Sequence, residues 1–434
     1  MTSSHPSVAI LGAGPVGIEA ALAAVDHGLS FALYEAGPQV GHHVRQWGHV
    51  RLFTPWELNA SPRARRHLSD AGIHLPDGDR RPTGEELVRE LLEPLTALPA
   101  VAPSVRTGVR VMRVGREGLL KSDEIGTGAR AGRPFRLLLR DGDGREWVER
   151  ADAVLDCTGT WGQPNALGVG GVPAPGEAGA REQMMRRIPT PEELENWAGR
   201  RILLVGAGHS AQTAARGLAE LVRSRPGTRV VWALRNPDPS FRLDDDTLPA
   251  REALHREAEL LAAAPSAEGA DGFEAVRGAT VESLEPGEGG ALRVTLRLQG
   301  GTGAGTSPGS RVEVVDEILS LTGSVGDGAL YRQLQVHECY ATLGPMGLSA
   351  ALLGAKRGSD CMTQPSLGVE ALRTPEPHFF ILGSKAYGRN STFLLRVGWE
   401  QVDQVMHALA QELEALGDEG AGAPDATPLA GAGS

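Results

Sequence analysis

Residues 7–35 read SVAILGAGPVGIEAALAAVDHGLSFALYE. This stretch decides the fold: a short apolar run (7–11), a glycine turn, an Ala/Leu-rich helical stretch (15–27) and a second apolar run (30–34) closed by Glu35. The order is that of a β-turn-α-β unit, with Pro15 where a first-turn proline is tolerated. A helix that begins at such a turn presents unpaired N–H groups and a positive dipole end, the setting that a pyrophosphate requires. Gly12 then serves the tight turn, Gly14 the close approach of backbone to phosphate and Gly17 the packing of helix on strand. Glu35, at the end of the second apolar run, is placed to accept a hydrogen bond from a ribose hydroxyl. Pro15 and Val16 complete this candidate dinucleotide site.

The same order recurs at residues 201–234: RILLV, GAGHSA, an Ala-rich helical stretch (210–223) and the strand RVVWAL (229–234). Gly206, Gly208, His209, Ser210 and Ala211 form the second turn, with alanine in place of the third glycine. Where the first copy carries Glu35, the second carries Arg235. A carboxylate suits a free 2′-hydroxyl, whereas a guanidinium suits a 2′-phosphate, so Arg235 points to NADPH. Residues 300–310, GGTGAGTSPGS, are rich in glycine too, but strands flank them on both sides and no helix follows, so they read as a hairpin loop.

Further along the chain, strands are expected at 109–114, 135–139, 151–156, 291–299, 311–315, 317–321 and 378–382, and helices at 249–262 and 392–416. Residues 417–434, GDEGAGAPDATPLAGAGS, are low in complexity and predicted to be disordered. With 434 residues, about two-fifths of them hydrophobic and just over a fifth charged, the composition is that of a soluble globular chain of two or three domains. Three cysteines without a C-x-x-C fit neither a disulfide framework nor a zinc ribbon, and they suit a reducing compartment. The net charge of 43 − 54 = −11 gives no counterion-release advantage on nucleic acid or anionic membrane, which leaves a small molecule as the expected partner. A strand starting about seven residues from Met1 leaves no room for a charged leader, so a cytoplasmic location is expected.

Two dinucleotide units, the second placed inside the first, resemble the two-domain flavoproteins that include glutathione-reductase-like enzymes and class B flavin monooxygenases. Besides the glycine turns, the resemblance rests on ADAVLDCTGTWGQPN (151–165), VDEILSLTG (315–323), HFFILGSKAYGRNSTFLLRVGWEQV (378–402) and WGHVRLFTPWELNASP (47–62). It implies an α/β fold of two Rossmann-like domains: an FAD-binding domain over 1–163 and 319–416, and an NAD(P)H-binding domain over 164–318 inserted into it. It also implies that Arg45, Gln46, Trp47, Val111, Cys157, Thr158, Gly159, Gly383, Ser384, Asn390 and Phe393 line the FAD site. Three departures bear on the reaction. The family's late Gly-Asp is Gly383-Ser384 here, the class B motif F-x-G-x-x-x-H is replaced by EAGAREQMMRRIPTP (177–191), and no C-x-x-C dithiol is present.

The expected activity is therefore an NADPH-dependent FAD oxidoreductase in which the cofactor carries the chemistry. The segment 47–62 favours O₂ as acceptor, with a flavin C4a-hydroperoxide oxygenating a nitrogen- or sulfur-containing small molecule. The alternative is a reductase of a disulfide, a quinone or another acceptor, and a third reading is a non-catalytic nucleotide-binding or redox-sensing flavoprotein. No metal is expected at His42, His43 and His49, which read as loop or flavin-edge residues. Cys157 reads as a packing residue. Cys339 and Cys361 are left open as a pair, and Asp244–Asp246 reads as a solvated cap.

Overall fold

The computed structural model describes residues 7–241, 246–264, 272–299, 309–354, 367–390 and 393–422. The two glycine-turn units open two parallel sheets. β1 (Val8–Leu11), β2 (Phe31–Glu35) and β3 (Val105–Thr107) lie side by side. β4 (Val109–Arg116), β5 (Phe135–Asp141) and β6 (Glu146–Ala151) then form an antiparallel meander. β7 (Ala153–Asp156) returns beside β1, in register Val8 to Ala153.

The second unit repeats this plan. β8 (Met184–Met185) forms one edge, and β9 (Arg201–Val205), β10 (Arg229–Leu234) and β11 (Phe273–Arg277) follow. β12 (Ala279–Pro286), β13 (Leu292–Leu298) and β14 (Gly309–Val315) make a second meander, and β15 (Glu317–Ser320) returns beside β9. The last strand, β16 (Phe379–Ile381), pairs with β7, which gives the sheet orders β16-β7-β1-β2-β3 and β11-β10-β9-β15-β8. Every strand of the second sheet thus lies between β7 and β16 in sequence. The chain is α/β, with one Rossmann-like unit inserted into another.

Burial explains why these runs are strands. β1, β2, β7 and β16 are buried along their whole length, as strands covered on both faces must be, whereas β5 and β13 alternate buried and open positions. The helix Pro15–Asp26 covers β1 with Ile18, Leu22 and a run of alanines that let it lie close to the sheet. A buried ionic knot ties the first meander to the segment that leads into β16. Arg116 Nε donates to Glu376 Oε1 at 2.6 Å, and Arg130 Nη2 to Glu376 Oε2 at 2.8 Å.

Two expectations need revision, the strand at 151–156 and the solvated cap at Asp246. The apolar run 151–156 is two strands: Ala151 ends the antiparallel β6 opposite Phe135, and Ala153 begins the parallel β7 opposite Val8, so the chain changes sheets at Asp152. The final helix is Leu395–Gly422, and residues 423–434 lie outside the described residues. Asp246 is not solvated. Its side chain is 3% exposed because it accepts from Arg251 Nη2 at 2.7 Å and from the Leu248 amide at 2.9 Å. Asp244, Asp245, Cys361 and residues 300–308 of the glycine-rich loop lie outside the described residues.

Candidate dinucleotide site

At the C-terminal ends of β1 and β7 lies a cavity of about 310 Å³. Its position follows from topology, since strand order reverses between β1 and β7 and the loops diverge there. Gly12, with φ +98°, makes the turn, and a Cβ there would meet the Cys157 carbonyl oxygen at 2.7 Å. Gly17 is required by proximity, because its Cβ would lie 1.9 Å from the Gly12 carbonyl oxygen. Gly14 differs from both. It caps the helix Pro15–Asp26 in extended conformation, no side chain caps that helix, and a Cβ on Gly14 would meet nothing within 4 Å. The first-turn amides of this helix have no intrahelical acceptors, and the space above them is cavity.

Glu35 ends β2 across the turn, 8% exposed. Its Oε2 accepts from the Ala13 amide at 2.9 Å and its Oε1 from the Gly37 amide at 2.8 Å. An ionised carboxylate has about four acceptor positions, so ribose hydroxyls can share this group with the two amides. Opposite, Thr158 is fixed on the cavity floor. Its amide and hydroxyl donate to Asp156 Oδ1 at 3.1 and 2.6 Å, and Lys385 Nζ reaches Asp156 Oδ2 at 2.6 Å, Thr158 Oγ1 at 3.2 Å and the Asp327 carbonyl at 2.9 Å. Lys385 and Asp156 are both buried, a pairing that satisfies each charge. Burial pushes the Cys157 thiol up and out of the thiolate range, as suits a packing residue.

Of the residues expected at this site, Gly12, Gly14, Pro15, Val16, Glu35, Val111, Cys157, Thr158, Gly159, Gly383, Ser384 and Phe393 line the cavity. Gly17 lies behind the turn. Gln46 stands at the rim, accepting from the Trp161 indole N–H at 2.6 Å. Arg45, Trp47 and Asn390 do not line it. Arg45 is held by Glu93 and by the Val40 carbonyl, and Trp47 packs against Gly84 and the main core. Sequence reasoning missed Arg110, Trp161 and Lys385. A lysine in the otherwise uncharged turn 383–388 after a buried strand was the available signal for the last of these.

The second turn repeats the first. Gly206 has φ +132°, and a Cβ there would meet the Leu321 carbonyl oxygen at 2.2 Å, whereas a Cβ on Gly208 would meet nothing within 4 Å. Gly208 caps the helix His209–Ser224 without a side-chain cap, Ser210 lies exposed in its first turn and Ala211 is buried against the sheet. Arg235 is exposed at the end of β10. His209 Nε2 faces His255 Nε2 at 3.1 Å, and Phe53 from the first unit packs edge-on against His209.

No family model matches the chain. A probable FAD-dependent monooxygenase of Arthroderma benhamiae is 43% identical over 70 residues, which is 16% of this chain and 16% of that protein. Solved structures match nearly end to end. Bacillithiol disulfide reductase from Bacillus cereus aligns over 94% of this chain and 99% of its own, with a TM-score of 0.65 and 19% identity. The cadaverine monooxygenase of the desferrioxamine pathway from Erwinia amylovora, solved with FAD, aligns over 94% and 95%, with a TM-score of 0.59 and 14% identity. Ornithine hydroxylase from Pseudomonas aeruginosa aligns over 94% and 100%, with a TM-score of 0.57 and 16% identity. At these identities the likeness is one of fold, and the fold is that of the two-domain flavoproteins. Among the described residues, no helix is long and apolar enough to cross a membrane.

Proposed function

We propose that the chain is an FAD-dependent, NADPH-using oxidoreductase, and specifically a monooxygenase acting on a nitrogen- or sulfur-containing small molecule. The observation that carries the FAD part of this reading is the open space above Gly14, at an uncapped helix N-terminus with Glu35 across the turn. A helix start left bare by its own side chains is built for an anion, and the carboxylate beside it is built for a ribose. The residues present therefore fit FAD: the amides after Gly14 would take the pyrophosphate, Glu35 the adenosine ribose, and Thr158, Gly159, Gly383 and Ser384 the remainder along the floor.

Bound there, FAD would accept a hydride from a nicotinamide and pass electrons on to an acceptor. The protein's own part is to orient and to exclude water. Lys385 and Asp156 lock the Thr158 loop, and the Gln46–Trp161 hydrogen bond closes one rim of the cavity. Arg235 and the bare N-terminus of His209–Ser224 would hold the NADPH 2′-phosphate and pyrophosphate. O₂ is favoured as acceptor by the segment 47–62 and by the 70-residue likeness to a probable monooxygenase. Among the described residues, Cys157 and Cys339 are both buried and neither forms a disulfide, which offers no dithiol relay between them.

The test is to reduce the FAD-loaded protein anaerobically with NADPH and then mix it rapidly with O₂. A separate spectral phase between reduced and oxidised flavin is expected. Direct return to oxidised flavin, together with fast NADPH-driven reduction of a disulfide or quinone, would replace the monooxygenase with a reductase.

A further inference from the structure

From His209 of the second glycine turn runs a line of polar side chains whose further members, His255 and Asp246, neither the strand-turn-helix motif nor the cofactor assignment uses. His209 is the first residue of its helix. Its Nε2 lies 3.1 Å from His255 Nε2, and the two rings are nearly parallel, with 16° between their planes. His255, 1% exposed, has its other nitrogen 3.7 Å from Asp246 Oδ2. Asp246 is fixed in turn by Arg251 and by the Leu248 amide. The charged groups facing this pair are Asp246, Arg251 and, toward His255, Glu259; Phe53 contributes a ring and no charge.

Proton positions follow from this order. The carboxylate of Asp246 favours a proton on the nearer nitrogen of His255, Nδ1. A neutral His255 with its proton there has a bare Nε2, which can only accept. His209 must then donate from its own Nε2, which leaves His209 Nδ1 with a lone pair. That atom has no partner within the protein among the described contacts, and it belongs to the residue directly after Gly208, where a pyrophosphate would sit. A lone pair there repels an anion. One added proton on His209 Nδ1 reverses this without breaking the His209–His255 bond, and turns the same atom into a charged donor.

We propose that Asp246 and His255 act as positioning residues that couple nucleotide binding at the second glycine turn to uptake of one proton on His209. This rests on the reading of that turn as the NADPH site. In the free protein both histidines are held neutral near pH 7, His209 at about 4, first by burial and then by His255 and Arg251. Phosphate oxygens beside Nδ1 oppose that shift. Affinity is then full where the free pair is already protonated and falls as pH rises above about 4, by up to about tenfold per unit, until the pKa of the complex is passed.

The test uses the FAD-loaded full chain and NADP+, with Kd measured calorimetrically from pH 5.5 to 8 for the wild type, Asp246→Asn and His255→Phe. Asparagine can face His255 with its oxygen or its amide, so it no longer dictates the tautomer; phenylalanine keeps the ring stack without a nitrogen. Titration of the 2′-phosphate itself is common to all three proteins and cancels in ratios of Kd. The ratio of wild-type Kd to that of either variant is expected to rise with pH, and proton uptake, read from buffers of different ionisation enthalpy, is expected in the wild type and lost in both variants. Tight binding with a flat ratio and no proton uptake would overturn the coupling and leave the nucleotide site standing. Absence of saturable NADP+ binding at every pH would overturn both.

Discussion

Substitutions at Gly14 and Gly17, neighbours on one turn, are expected to fail in opposite ways. A Cβ on Gly14 meets nothing within 4 Å, and the backbone there, φ −85° and ψ −176°, suits any L-residue. Gly14→Val should therefore fold with wild-type stability while its branches fill the space the pyrophosphate needs. Displacing that anion from two first-turn amides, each charge-assisted bond being worth about 1.5–3 kcal/mol, weakens FAD by roughly 10²- to 10⁴-fold. Gly17→Ala places its Cβ 1.9 Å from the Gly12 carbonyl oxygen, far inside the 3.4 Å at which ordinary contact begins. Gly12 cannot retreat, being itself close against the Cys157 carbonyl. Overpacking of this kind costs about 1–3 kcal/mol, or a fall in Tm of about 2–12 °C at the 2–4 °C per kcal/mol of domains this size. Flavin absorbance after gel filtration, together with calorimetric Tm of the apoproteins, separates the two effects. Full FAD content in Gly14→Val, or an unchanged apoprotein Tm in Gly17→Ala, would refute the assignment of roles within the turn.

Arg235→Ala should remove most of the preference for NADPH over NADH, about 1.5–3 kcal/mol or roughly ten- to a hundredfold in kcat/KM for flavin reduction; equal use of both coenzymes by the wild type would take Arg235 out of that role. Lys385→Met leaves Asp156 charged and buried, so the denaturation midpoint should drop by the equivalent of about 3–5 kcal/mol, with FAD released more readily as the Thr158 loop loosens. Glu193, the capping-box residue of the helix Pro191–Asn196, is held down to about 2, mainly by its hydrogen bond from Arg187. Since its folded pKa is depressed, its contribution to stability is complete above about 4.5 and is lost as pH falls toward about 2. The stability difference between wild type and Glu193→Gln should shrink over that window in urea titrations, and a difference independent of pH would contradict it.

Much of the fold was legible because its signals are local. Strands β9 and β10 match their expected runs at both ends, and β1, β2 and β16 are displaced by one residue at most at each end, since continuous apolar runs bounded by glycine or charge leave little choice. The run 151–156 misled for a related reason. It is apolar throughout most of its length, and nothing local marks the change from an antiparallel partner to a parallel one at Asp152. At the site, the glycines were readable from spacing, whereas Arg45, Trp47 and Asn390 were placed by a resemblance that puts their turns near FAD. Ion pairing with Glu93 and packing against Gly84 draw the first two away from the cavity.

The amino-acid sequence by itself determined that there are two strand-turn-helix units with bare helix starts, one ending in a carboxylate and the other in a guanidinium. Those features depend on backbone freedom and helix polarity over a few residues, and short-range chemistry dictates them. Tertiary structure alone decided what the chain's distant polar residues do. Lys385 meets Asp156, 229 positions away, His209 meets His255 across 46, and Asp246, held out of solvent by Arg251, faces the latter. A charge of this kind finds its partner only when packed strands and helices remove it from water and leave one geometry in which it is satisfied, and no spacing along the chain records that geometry.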